Sequence, residues 1–192
     1  MRVFKRIFFK IIFLVFTIAC NNHVTVEKYD NGNIKSMGRI INEKRDGSWI
    51  FFKENGDTLK IENFELGILK SELEFIDNRV LKRTSYSGDK TVLEETFYEN
   101  GTIDCIFPVK NGVQNGHCEC YFQNGQIRSS YNVSNGIPYG EYREYYKDGN
   151  PKLISDQIGN GIHYYFDSLG NSRILYFKDF EQVDSVEYHQ IK

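Results

Sequence analysis

Three cysteines, Cys105, Cys118 and Cys120, with His117 beside them, are the residues whose types and spacing come nearest to chemistry. Four soft ligands in sixteen residues suggest zinc, but Cys-x-Cys lacks the Cys-x-x-Cys knuckle. In an extended segment, moreover, His117 points away from both flanking thiols. A disulfide is the second chemistry. If Asn111-Gly112 is the turn of a two-residue hairpin, Cys105 stands opposite Cys118, while a different register brings Cys120 there instead. The third reading is plain burial as free thiols, since cysteine is a small apolar residue. Acid–base work would need paired carboxylates, and Glu94-Glu95, Glu141 and Glu144 are the candidates. Adjacent residues of a strand face opposite ways, and carboxylates recurring at repeat positions read as a solvated face. His23, His117, His163 and His189 lie far apart without a His-x-x-x-His partner, and no nucleophile elbow, phosphate loop or dinucleotide fingerprint occurs. The expectation is no catalytic residue, no metal and no cofactor.

What must position these residues is an array. An aromatic-x-Asn/Asp-Gly type of mark recurs with its last residue at Gly32, Gly56, Asn78, Gly101, Gly125, Gly149 and Gly170, about every 24 residues. In the clearest unit Ile127, Ser129, Tyr131 and Val133 alternate with Arg128, Ser130, Asn132 and Ser134, which is the period of a half-buried strand. Asn135-Gly136-Ile-Pro-Tyr-Gly140 reads as a second turn, which Pro138 closes to the ladder, and Glu141–Tyr146 as the returning strand. A second glycine recurs in register at Gly47, Gly116 and Gly140. Each unit is therefore a β-hairpin.

These units, Gly140-Glu-Tyr-Arg-Glu-Tyr-Tyr-Lys-Asp-Gly149 and Gly47-Ser-Trp-Ile-Phe-Phe-Lys-Glu-Asn-Gly56 above all, resemble the MORN-repeat variant family over most of residues 27–177. The resemblance implies an all-β fold, an elongated antiparallel β-meander of about seven hairpin repeats, and, because some proteins with this repeat carry an antitoxin label, an antitoxin or immunity role as one alternative. A lone hairpin is marginal in water, so side-by-side stacking also follows physically. The third unit departs from the pattern at Asn78, which tolerates a left-handed turn. Residues 178–192 fit no unit and read as a C-terminal cap.

The first 19 residues do not belong to that array. Arg2, Lys5, Arg6 and Lys10 precede an apolar run, Ile11–Ala19, that is too short to span a bilayer and reads as a cleaved signal segment. Thr17-Ile-Ala-Cys20 resembles a bacterial lipobox, which implies lipid attachment at Cys20, residues 20–26 as a lipidated linker, and a membrane partner through N-terminal acyl chains. Asn21 rather than Asp after Cys20 points, by resemblance to enteric lipoproteins, to the outer membrane of a bacterial envelope. Removing four basic residues from 24 leaves 20 against 26 acidic ones, a formal charge of −6, so nucleic acid is not an expected partner. Tyr121, Tyr142, Tyr145, Tyr146, Tyr164 and Tyr165 are candidates for an extended protein- or glycan-binding face. The functional expectation is a non-enzymatic, lipid-anchored interaction module with a protein partner. An envelope hydrolase is a further alternative, and it would need an acidic pair in a cleft.

Overall fold

The computed structural model describes residues 22–158, 160–179 and 181–188. They form one open antiparallel sheet in which, β10 apart, each strand lies beside its predecessor. The strands are β1 (Asn22–Lys28), β2 (Ile34–Ile41), β3 (Lys44–Phe52), β4 (Thr58–Glu65), β5 (Ile68–Ile76), β6 (Arg79–Ser87), β7 (Lys90–Phe97) and β8 (Ile103–Lys110). After the short β9 (Val113–Gln114) come β10 (Gly116–Tyr121), β11 (Ile127–Ser134), β12 (Ile137–Tyr145), β13 (Pro151–Gln157), β14 (Asn160–Phe166), β15 (Ser172–Lys178) and β16 (Glu181–Tyr188). β9 pairs only with β8, so β8 and β10 are the neighbours at mid-sheet. The expected signal segment and Cys20 lie outside the described residues, as does His189. Asn22 already opens β1, so the segment expected as a linker is in part strand, and β16 continues the meander where a cap was expected.

The two ends of the strands turn differently. At one end the recurring mark closes a type I turn whose glycine adopts positive φ: Gly32 N–H donates to Tyr29 O, and Tyr29 N–H to Asn33 O. The pattern repeats at residues 53–57, 98–102, 122–126, 146–150 and 167–171. Asn or Asp precedes the glycine for a reason: Asn31, Asn55, Asn100, Asn124 and Asp148 each accept, through Oδ1, the N–H of the residue after the glycine. In the third unit Asp77 and Asn78 both adopt positive φ and make a two-residue turn instead. The tyrosine of the mark ties one unit to the next, with Tyr29, Tyr98 and Tyr146 donating their hydroxyls to Phe52 O, Tyr121 O and Phe166 O.

At the other end the turns are tight, as at Asn111-Gly112 and Asn135-Gly136. The second glycine is not part of a turn, contrary to the sequence expectation. Gly47, Gly116 and Gly140 sit in bulges at positive φ, where the register slips by two residues: Tyr131 faces Tyr142, but Asn132 faces Tyr139. Units without that glycine slip by one, as where Asn63 faces Ser71 and Phe64 faces Leu69. Pro138 lies inside β12, opposite Val133, so it does not end the ladder.

Side chains alternate between two faces. One row runs unbroken across the front face from Ser36 through Phe51, Lys60, Glu74, Lys82, Thr96, Cys105, Cys120, Ser129, Glu144 and Leu153 to Tyr165. Among the described residues, the buried apolar side chains Trp49, Cys105, Cys118, Cys120, Val133 and Leu175 all belong to this face. The back face opens with an apolar row, Val26, Met37, Ile50, Ile61 and Leu73, and turns polar at Arg83 and Glu95 before passing through Ile106 to Glu119.

Candidate functional site

From β3 to β7 the front face is a lattice of charge. Lys60 Nζ donates to Glu62 and Glu72 at 2.6 and 2.8 Å, and Lys82 Nζ reaches Glu94 at 2.9 Å. Burial of the Lys60 ammonium works against its charge, but the hydrogen bonds to Glu62 and Glu72 outweigh it and raise its pKa. The Lys82 pKa is likewise raised, chiefly by the hydrogen bond to Glu94. Trp49 anchors the end of this lattice. It is 2 % exposed, its Nε1–H donates to Arg39 O, and the Arg45 guanidinium lies 4.3 Å from its ring centroid. Gly38 faces that indole so closely that a Cβ there would stand 2.4 Å from a ring carbon.

The register positions that carry charge before β8 carry thiols and rings after it. Cys105 is bonded to Cys120, and Cys118 is a buried free thiol. Of the two possible bridges, Cys105–Cys118 and its alternative Cys105–Cys120, the structure has the alternative. Asn111-Gly112 does turn tightly, pairing Lys110 with Val113 and Val109 with Gln114. The bulge at Asn115-Gly116 then advances the partner strand by two, so Cys105 faces Cys120. The Arg128 guanidinium sits over the bridge, with Nη2 at 3.0 Å from Asp104 and 3.7 Å from Cys105 Sγ, and Nη1 donates to the Tyr98 hydroxyl. Burial raises the pKa of the Cys118 thiol. Direct β8–β10 pairing comprises only Glu119–Ile106 and Cys120–Cys105, the shortest seam between neighbouring strands on the main path of the sheet, and the disulfide crosses it.

The remaining candidates separate. His117 lies on the back face, against Asn132 and Glu119, away from the thiols. No group of three or more His, Cys, Asp or Glu among the described residues is placed to hold a metal ion. Glu94 faces front to Lys82 and Glu95 faces back to Arg83. Glu141 pairs with Arg143, and Glu144 with Lys152. The six tyrosines do not form a single ladder. Tyr142 and Tyr165 are on the front, Tyr164 is on the back, and Tyr146 ties two turns together. Tyr145 lines a back-face groove of about 320 Å³ with His117, Ser130, Asn132, Glu141 and Arg143. Tyr121 donates to Glu119, which with burial pushes its pKa up to about 12.

Two residues escaped the sequence reading. Tyr131 stacks at a tilt on Tyr142, 6.0 Å between centroids, and burial raises the pKa of both phenols. His163 packs 4.4 Å from the Phe177 ring, and its buried Nε2 has no hydrogen-bond partner among the described residues. Alternation within β11 places Tyr131 on the buried face, but nothing local in the sequence reveals that Tyr142 lies opposite.

The chain matches no curated protein. Among solved structures it is similar to a chain from a mutant of S. aureus TarM in complex with Fondaparinux, alpha-GlcNAc-glycerol and UDP, at 16% identity and a TM-score of 0.29, covering 55% of this chain. The match spans 19% of that chain's length. Residues 114–135 and 138–155, which run from β9 into β13 and include a turn mark and a second glycine, match the family model described as MORN repeat variant.

Proposed function

We propose that this chain is a non-enzymatic interaction module of a bacterial envelope, held at the membrane through acyl chains on Cys20 and binding a protein partner along its front face. The observation that carries the reading is the unbroken front row. That row offers Lys60, Glu74 and Lys82 first and Tyr165 at its far end, and the Tyr131–Tyr142 pair lies beside it on the same face of a single open sheet. Repeat arrays present extended surfaces of this kind to partners. Rigid amphipathic tyrosines beside charged groups suit protein contacts, with electrostatics setting choice and encounter rate. The carboxylates weighed for hydrolysis are each drawn to a different cation, which favours binding over acid–base chemistry. The anchor rests on the sequence Thr17-Ile-Ala-Cys20.

The test has two arms. Metabolic labelling with a fatty-acid analogue should mark the wild-type chain and not Cys20→Ala, and an unlabelled wild type defeats the anchor. Envelope pull-down should recover a partner that Lys60→Glu/Lys82→Glu or Tyr131→Ala/Tyr142→Ala releases. Retention by both variants would exclude the front face. If that partner is toxic on its own, the module is of the immunity type.

A further inference from the structure

The first strand of the sheet has one side paired to β2 and the other open among the described residues, and its residues are complementary to themselves. β1 reads Asn-His-Val-Thr-Val-Glu-Lys, with no Pro or Gly, and all of its residues but the half-buried Thr25 are exposed. Val24 and Val26 are 65% and 46% exposed, on the back face, at the head of the apolar row that continues through Met37, Ile50, Ile61 and Leu73. An open edge is a template for another strand unless charge, proline or a bulge blunts it. Here the blunting is confined to the far end, where the register shifts between Glu27 and Lys28.

We propose that β1 is a homodimerisation edge, two copies pairing this strand antiparallel about a two-fold axis at Thr25. Facing residues must share a face, so the two-fold must centre on a residue, and Thr25 gives the longest overlap. In that register Val24 stands opposite Val26 of the second copy, and the two apolar rows join into one. On the front face His23 stands opposite Glu27 of the second copy, and at the ends Asn22 faces Lys28, a polar group against a cation rather than like against like. The interface is isologous and closes at two copies.

The other edge of the sheet does not offer this. Pairing β16 with itself about Asp184 sets carboxylate against carboxylate, and about Ser185 it sets Asp184 against Val186. The asymmetry selects a closed dimer rather than a growing filament. The inference goes beyond the binding role of the front face and does not depend on lipid at Cys20.

Cysteine cross-linking in the full chain, in detergent and with Cys20→Ser to remove a competing cysteine, reads the register. Directly opposed strand residues have Cα atoms about 4.5–5.5 Å apart, within the span of a disulfide. Under air oxidation, Thr25→Cys should give a covalent dimer. Val24→Cys and Val26→Cys should each give little alone and should cross-link when mixed. Sedimentation equilibrium should show the Cys20→Ser chain as a dimer of the 22.5 kDa protomer. Val26→Lys should weaken that dimer at least about tenfold, with unchanged Trp49 fluorescence as the check on folding. A Thr25→Cys chain that stays uncross-linked, or a Val26→Lys chain that dimerises as well as its parent, overturns the proposal. So does preferential cross-linking of Thr25→Cys to Ser185→Cys, which would mean head-to-tail growth.

Discussion

From β4 to β7 the front face is filled by Lys60, Glu62, Glu72, Glu74, Lys82 and Glu94, whereas from β8 to β14 the same face carries Cys105, Cys120, Tyr131, Tyr142 and Tyr165, with Glu144 as its carboxylate. Apart from the short β8–β10 seam, turns and strand lengths are similar on the two sides, so the unit is specified by its backbone devices and leaves the filling of the face free. The forces differ. Partly exposed ion pairs contribute about 0.2–1 kcal/mol each and are screened by salt. A tyrosine pair contributes about 0.5–1.5 kcal/mol beyond its area, and a disulfide closing a short loop contributes about 3 kcal/mol. The stronger devices begin at the seam, where direct strand pairing is shortest. The charged half depends instead on one large anchor, Trp49.

That dependence gives the largest expected effect. Trp49→Ala removes a buried indole, its hydrogen bond to Arg39 O and the platform under Arg45, and should cost about 3–5 kcal/mol. Because each unit of an array couples mainly to its neighbours, amide exchange should accelerate in β2–β4 and stay unchanged in β11–β14. Equal loss of protection in both regions would make the sheet one cooperative body and dissolve the comparison.

Next in size is the seam. Cys105→Ala/Cys120→Ala opens a loop of 15 residues and should lower stability by about 3 kcal/mol. Dithiothreitol should then lower the melting temperature of the wild type and leave the variant where it is. A wild type that reduction leaves unmoved would show that the thiols pack without stapling.

Most of this architecture is legible before any coordinates. The Asn/Asp-Gly mark predicts the turns because its chemistry is local: the side chain accepts one N–H, and the glycine takes a φ that other residues avoid. Alternation in Ile127–Ser134 predicts which face β11 buries. Bulges were illegible. Gly140 reads as a turn glycine because a positive φ inside a strand leaves the same signature as one in a loop, and only the partner strand tells them apart. The cysteine pairing failed first for that reason: the tight turn at Asn111-Gly112 is real, but Gly116 moves the register by two. Long-range clusters such as Trp49 with Gly38 and Arg45, or Tyr131 with Tyr142, depend on register across strands and therefore on the same bulges.

A smaller effect tests the charged lattice directly. Lys60→Ala leaves Glu62 and Glu72, neighbours on one face, without their shared cation. Arg45 still reaches Glu62 at 3.2 Å, so the expected loss is only about 0.5–1 kcal/mol. Raising salt from low ionic strength should reduce the difference between wild type and Lys60→Ala, while a Tyr142→Phe variant should differ from wild type by the same amount at every salt concentration. A salt-independent Lys60→Ala would place the value of Lys60 in the contact of its Nζ with the Phe51 ring, 5.1 Å from the centroid, rather than in its ion pairs.

The smallest effect lies in alkaline solution and separates the halves by sign and sequence. Lys60 and Lys82 have pKa values raised above about 10.5, so the native state holds those protons more tightly than the unfolded chain does. Their contribution is complete below that value and disappears as pH rises through the folded pKa. Burial raises Tyr131 and Tyr142 above about 10.0, and the same linkage applies, because a neutral phenol is favoured in the fold. Both halves should therefore weaken on the alkaline side, the tyrosine half from the lower pH. The single Trp is Trp49, in the charged half, so its fluorescence reports that half, while tyrosinate absorbance reports mainly the other. Lys60→Met/Lys82→Met should shrink the first alkaline response, and Tyr131→Phe/Tyr142→Phe should remove those two phenols' share of the second, leaving that of Tyr98 and Tyr121. If either double variant flattened both, the two fillings of the front face would be coupled through the Cys105–Cys120 seam rather than separated by it.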